Sequence, residues 1–335
     1  TICNGTNIYI SLPSSIDLSN INNLPTGVSW VQVSEDNLRK SNGTGWIPID
    51  ISSTYGVSMS TLPFDPQNTL NDSLYYTFYC NPQQEYILTS YMESKTFGPK
   101  GNETSKTNKD GGPDPYLYEV GNNLFISPLK PVGSWSFDEG TGTIANDSSG
   151  NDNNGTLISG PTWTDGQINK AISFDGVNDY VDCGNIPQYE SFSISIWVNP
   201  TANPNQTNSS YLSVYDGLDS NLRFNIAQGS FYNFIRWRLP DGNYVNYTLS
   251  DNGSLNQWAH YVITYDGVND ILKGYKNGQL QYTYNTGIYS NFGHFVRIGM
   301  NGVNNLYFTG LIDEPRFYNR ALSAEEIKRH YEMSK

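Results

Sequence analysis

Long apolar runs are missing from this chain. No stretch reaches the roughly 18–20 consecutive apolar residues of a membrane helix. No charged start followed by a short apolar core marks a signal peptide, so Thr1 reads as a processing boundary. Cysteine is scarce: Cys3, Cys80 and Cys183 match no zinc spacing, and one disulfide with one thiol left over is a pattern they permit. Basic residues are outnumbered, 19 against 32 acids, for a net charge of −13. Nucleic-acid binding needs a basic face, so nucleic acid is not the expected main partner. Such a balance suits an extracellular surface, or one that holds cations. Histidine is limited to His260, His294 and His330, in unrelated contexts. No G-x-S-x-G, H-E-x-x-H, phosphate loop or dinucleotide fingerprint occurs. These absences point to a protein that binds or builds rather than one that catalyses.

Aromatics, by contrast, are abundant, with 25 tyrosines, and 31 glycines accompany them. That composition is β-rich and full of turns. The 335 residues suffice for two domains. "SPLKPVG" at 127–133 reads as a linker, which places one domain at 1–128 and another at 129–335. In the second, "SFSISIWVN" puts Phe192, Ile194, Ile196 and Val198 on one strand face. Asn277-Gly278 between two alternating runs predicts a hairpin, since a type I′ turn needs positive φ at both positions. Strands at roughly ten-residue intervals without helices mean a sandwich or barrel. The one long helix signal is the last. Ser323 and Glu326 form an S-x-x-E capping box, and Lys328, Arg329 and His330 follow where the helix dipole favours cations. In the first domain "WVQV", "YYTFYC" and "EYILTSYM" read as strands, Ser34–Lys40 as a short helix, and 96–115 as a long polar loop. Ten N-x-S/T sequons permit glycosylation, among them Asn246.

"GSWSFDEGTGTIANDSSGNDNNGTL", "KAISFDGVNDYVDCGN", "SFSISIWVNP", "QWAHYVITYDG", "GYKNGQLQ" and "GLIDEPRFYNRALSAEEI" occur in that order. Together they resemble the laminin-G-like, concanavalin A-like jelly-roll modules of secreted proteins, over about residues 132–335. The resemblance implies two antiparallel sheets, one concave, with first and last strands side by side. Pro315 departs from it, standing where the family usually has a β-branched residue. Proline lacks a ladder donor, so the strand is expected at a sheet edge or bulged there. The resemblance also implies a structural calcium on Asp313, with Asp147 and Asp175-Gly176 as candidate helpers. The residues alone equally allow Asp147 and Asp175 as turn residues bonding their own backbone, and Asp313 as a salt-bridge partner of Arg316. Glucanases of this shape carry an E-x-D-x-x-E run or close variant to supply their paired carboxylates. No such run occurs here.

In the first half, "NLRKSNGTGWIPIDIS", "STLPFDPQNT", "LYYTFYCNPQQEYILTSYMES" and "DGGPDPYLYEVGNNL" are similar to the globular heads of type IV pilin and pseudopilin-like proteins. That resemblance implies a smaller α+β head over 1–128, an oxidising compartment, and a Cys3–Cys80 disulfide with Cys183 free. It also implies pilin-like partner subunits joined through a long apolar N-terminal helix, which this sequence lacks. Asp110 and Asp114 in "KDGGPDPY" are further candidate calcium ligands.

Three of the eight arginines fall within 222–239. Alternation puts Leu222, Phe224 and Ile226, then Phe231, Ile235, Trp237 and Leu239, toward a core. It leaves Arg223, Tyr232, Arg236 and Arg238 on the other face, an expected patch of one tyrosine among arginines. Rings stack on sugars and guanidinium forks grip anionic oxygens, so an acidic glycan or anionic surface polymer is the expected ligand. The bland alternative is a solvated face of balanced charges. The sequence-level reading is an extracellular, pilin-like surface protein displaying a laminin-G-like module for adhesion. A carbohydrate-binding module of a degradative system and a purely structural filament subunit are the rivals.

Overall fold

The computed structural model describes residues 3–18, 24–50, 61–63, 75–91, 107, 110–203, 208–216, 221–229, 232–238, 243–251, 255–285, 294–301 and 306–335. Within its strands, the side chains of residues 208, 216, 221, 223, 232, 250, 251 and 294 lie outside that description. The chain divides into two compact units, Thr1–Lys130 and Pro131–Lys335.

The first unit carries β1 (Asn7–Pro13), β2 (Ser29–Val33), β3 (Tyr76–Cys80), β4 (Tyr86–Tyr91) and β5 (Leu117–Gly121). They form one sheet in the order β2-β1-β3-β4-β5, parallel only between β1 and β2. β1 is apolar on both faces because both are covered. Tyr9 packs with Trp46, Leu62 and Phe78, while Ile10 and Leu12 pack with Leu18 and Tyr75. Cys3 is bonded to Cys80, with Cα atoms 4.9 Å apart. The expected α+β head is not shown by the described residues. No α-helix occurs among this unit's described residues, and the helix expected at Ser34–Lys40 is a single 3-10 turn, Glu35–Asn37. Ser34 makes no side-chain cap bond and the turn buries no residue, so nothing extends it. Most of the loop expected at 96–115 lies outside the described residues.

The second unit opens with β6 (Gly133–Ser134), β7 (Ile144–Ala145), β8 (Gly155–Ile158) and β9 (Thr162–Asp165). β10 (Lys170–Asp175), β11 (Tyr180–Ile186), β12 (Phe192–Pro200), β13 (Asn208–Asp216) and β14 (Asn221–Gly229) follow. Next come β15 (Tyr232–Arg238), β16 (Tyr244–Asp251), β17 (Ala259–Asp266), β18 (Ile271–Lys276) and β19 (Gln279–Asn285). β20 (His294–Ile298), β21 (Met300–Asn301), β22 (Leu306–Tyr307), β23 (Thr309–Tyr318) and helix α1 (Ala324–Ser334) end it.

One sheet runs β19-β18-β17-β12-β23-β10-β9, with β6 added to β23; the other runs β16-β15-β14-β13-β20-β11-β8-β7. First and last strands thus meet, Ser134 opposite Arg316. The inner faces share one core. Phe192, Ile194, Ile196 and Val198 of β12 meet Phe224, Ile226, Ile235 and Trp237 of the opposite sheet. Phe192 and Trp237 stack at 6.1 Å. The expected hairpin joins β18 to β19, with φ of 52° at Asn277 and 76° at Gly278. α1 has its capping box: the Ser323 side chain accepts from the Glu326 N–H and the Glu326 side chain accepts from the Ser323 N–H. The dipole reading of its basic residues fails, because the last turn holds none and His330 is buried.

Pro315 is accommodated by a bulge, not an edge. β23 lies inside its sheet between β12 and β10. Ser195 pairs with Arg316 but Trp197 pairs with Asp313, so one extra residue is looped out, and Glu314 there has φ 54°.

Candidate functional site

Alternation in the sheet that contains β15 and β16 sends Ile235 and Trp237 into the core and Arg236 and Arg238 to the outer face. Register then carries the face across the sheet. Asn225 lies opposite Arg236, and Arg236 opposite Asn246. The Arg236 Nε–H donates to Asn246 Oδ1 at 3.0 Å. Its guanidinium rests 5.5 Å from the Phe234 ring and 6.0 Å from that of Tyr244. Tyr244 is 44% exposed. Neither Arg236 nor Arg238 has an acidic partner among the described residues, and the buried Arg238 Nε has no acceptor.

Further along the same face, Arg297 is differently placed. It pairs with Asp182 at 3.3 Å and lies 5.5 Å from both the Tyr180 and Tyr215 rings. The middle is closed: Ser213 and Asn225 are both fully buried. The Asn225 amide donates to Ser210 Oγ at 2.6 Å, while its Oδ1 has no partner. Of the expected ligand residues, Arg236 and Arg238 share this face. The side chains of Arg223 and Tyr232 lie outside those described. Phe234, Tyr244, Arg297, Tyr180 and Tyr215 were missed. Alternation alone could have flagged Phe234, but uniting residues from five strands requires the register.

The acids of "LIDEPRF" lie on the other sheet's outer side, beneath α1. Asp313 is buried; its Oδ2 accepts from the Ile168 N–H at 2.9 Å and its Oδ1 is unpartnered. Burial, then neighbouring Glu314, pushes the Asp313 carboxyl well up from the ordinary carboxylate range. The salt bridge read for Asp313 belongs instead to Glu314, which pairs with Arg316 in the interior. Beside them Ser195 Oγ and His260 Nε2 are 2.8 Å apart. Burial, then the charge of Arg316, pulls the His260 imidazole down to about 3, so it is neutral at ordinary pH. Trp197 lies 5.0 Å from the His260 ring and 5.8 Å from that of Tyr331 on α1. A Ser–His pair sealed this way offers no path for substrate. It belongs to a polar layer joining sheet to helix.

The candidate calcium residues do not come together. Asp147 Oδ1 accepts from Ser134 and Ser149 N–H groups, and its Oδ2 from Ser149 Oγ and Asn153 N–H. Asp175 Oδ1 accepts from the Val177 and Asn178 N–H groups, and Gly176 supplies φ 79° in that turn. Asp175 pairs with Thr309, four residues from Asp313, or about 13 Å along the strand. Among the described residues no three His, Cys, Asp or Glu side chains gather as a metal-holding group.

Residues 175–328 match the model of the concanavalin A-like lectin/glucanases superfamily. No curated protein matches the chain. Among solved structures it is similar to domain 4 of AbnA, a GH43 extracellular arabinanase from Geobacillus stearothermophilus, in complex with arabinotriose. That likeness is 21% identical over 62% of this chain and 99% of that one, with a TM-score of 0.47. The binding domain of botulinum neurotoxin serotype G is 20% identical over 61% of this chain, with a TM-score of 0.48; only 51% of that chain is covered. The binding domain of Paraclostridial Mosquitocidal Protein 1 is 20% identical over 60% of this chain and 51% of that one, with a TM-score of 0.47. The second unit thus contains, over residues 175–328, a domain of the concanavalin A-like lectin/glucanase type.

Proposed function

We propose that this is a non-catalytic extracellular recognition protein whose second unit binds glycans at the β15–β16 corner. One observation carries the reading: an exposed Tyr244 ring stands beside the Arg236 guanidinium, with Asn246 fixing that guanidinium from the next strand. A sugar presents an apolar ring face and a rim of hydroxyls, and this corner offers a matching ring and polar rim. The Cys3–Cys80 bond supports an oxidising compartment. Screening the whole chain on a glycan array tests the reading. Binding that Tyr244→Ala abolishes is expected; a parent that binds no glycan would overturn it.

Display on a filament is a second reading. It rests on the resemblance of 1–128 to pilin heads and on the disulfide that fastens Cys3 to the head's sheet. Sequencing the coding region upstream of Thr1 tests it, and a glycine-led apolar helix is expected. Calcium enters this proposal only at Asp313, whose unpartnered Oδ1 is a hard oxygen ligand.

A further inference from the structure

Six polar residues form one row across the outer face of the larger unit's second sheet. Asp182 faces Arg297, Arg297 faces Ser213, Ser213 faces Asn225, Asn225 faces Arg236 and Arg236 faces Asn246. Six strands at about 4.8 Å span about 24 Å. The two cations of the row have opposite circumstances. Arg297 is neutralised by Asp182 within the row. Arg236 faces amides on both sides and meets no carboxylate among the described residues. Its Nε is spent on Asn246, which leaves both terminal nitrogens of the fork for something else. Arg238 follows two residues on, about 7 Å away on the same face, also without an acid among the described residues.

Two neighbouring guanidiniums repel, and partial burial removes water that would screen them. In a chain of net charge −13, acids to neutralise them are plentiful, yet among the described residues none pairs with either. The rings of Phe234 and Tyr244 flank the Arg236 guanidinium at 5.5 and 6.0 Å. Buried Ser213 and Asn225 separate the two ends of the row, and of its two cations Arg297 is the one already matched by an acid.

The structure assigns, we infer, an anionic glycan to this corner: a carboxylate or sulfate ester bridges Arg236 and Arg238 while an adjoining sugar ring lies on Tyr244. This rests on the glycan reading above and adds its charge class. Paired hydrogen bonds from a guanidinium fork suit either group.

The test compares the whole chain on alginate (carboxylate), heparin (sulfate) and a neutral soluble polysaccharide, hydroxyethyl cellulose, at low salt. The parent should be retained by at least one acidic polymer and released as salt rises. Arg236→Ala/Arg238→Ala should weaken that retention at least tenfold, with an unchanged melting temperature. Arg236→Lys/Arg238→Lys, which keeps charge but loses the fork, should fall between. Alginate alone identifies a carboxylate and heparin alone a sulfate; either supports the inference. Equal retention of parent and double alanine variant overturns it. So does capture by anionic phospholipid vesicles with no polysaccharide bound. Retention by the neutral polymer alone, lost in Tyr244→Ala, overturns the charge class but keeps the glycan reading; no binding to any polymer overturns both.

Discussion

Loss of the Cys3–Cys80 bond should lower the melting temperature of one unit and spare the other. The two cysteines are 77 residues apart, so the bond closes most of the first unit into a loop. The chain-entropy relation for a loop of that length gives about 4.5 kcal/mol at 25 °C. A unit of some 130 residues has a melting entropy of roughly 270 cal/mol/K, so loss of the bond should lower its transition by about 17 °C. The second unit contains only Cys183, a buried thiol whose pKa burial pushes well up. Its transition should not move. Scanning calorimetry of the intact chain, and of Cys3→Ser/Cys80→Ser, would resolve the two transitions. A shift in both, or a first transition displaced by less than a few degrees, would refute the reasoning. Cys183→Ala in the same scan controls for the remaining thiol. Alkylation without reductant should label no cysteine in the native chain and one after denaturation.

Glu119 should make the first unit less stable as pH rises. Burial, reinforced by Asp114, pushes its carboxyl up to about 9, so the folded unit keeps a proton that the unfolded chain releases near 4.5. Stability is then lost between about pH 4.5 and 9, at up to about 1.4 kcal/mol per pH unit, and Glu119→Gln should flatten the profile of urea midpoints. Ser195→Ala would leave the buried His260 Nε2 without its partner and should cost about 1–3 kcal/mol in the second unit, read by urea titration. Millimolar calcium should raise the melting temperature of the second unit relative to EDTA, and Asp313→Asn should remove the rise; an unmoved parent refutes calcium there.

How much was legible depends on whether a feature is local. The faces of β12, the Asn277-Gly278 turn and the Ser323 capping box each rest on a few consecutive residues, and each stands in the structure. Pro315 was half legible. A missing donor forbids a regular central ladder, but only the pairing of Ser195 and Trp197 shows that the strand answers with a bulge. Asp313 and Glu314 look like metal ligands because charged residues rarely sit in a buried strand. Asp313 bonds Ile168, 145 residues away, which no local pattern encodes; the nearby Arg316 was legible as a partner, but only the bulge shows that Glu314 takes it. The arginine face was legible in parity but not in membership. Arg297 and Tyr180 join it only because β20 and β11 lie beyond β13.

The polar layer beneath α1 has a consequence for how this domain can be moved between proteins. The family match ends at residue 328, but the contacts that close the layer come later. His330 is buried, Tyr331 covers Trp197, and the Ser334 hydroxyl accepts the Trp197 indole N–H at 3.2 Å. Gln167 donates to the Ser334 carbonyl at 2.9 Å, fastening the helix end to the loop before β10. A gene fusion cut at 328 would open Ser195, His260 and Trp197 to solvent and leave polar groups half satisfied. The transplantable module is therefore longer than the recognisable one. Recombination that respects its borders must carry the first strand, the bulged last strand and the whole terminal helix together.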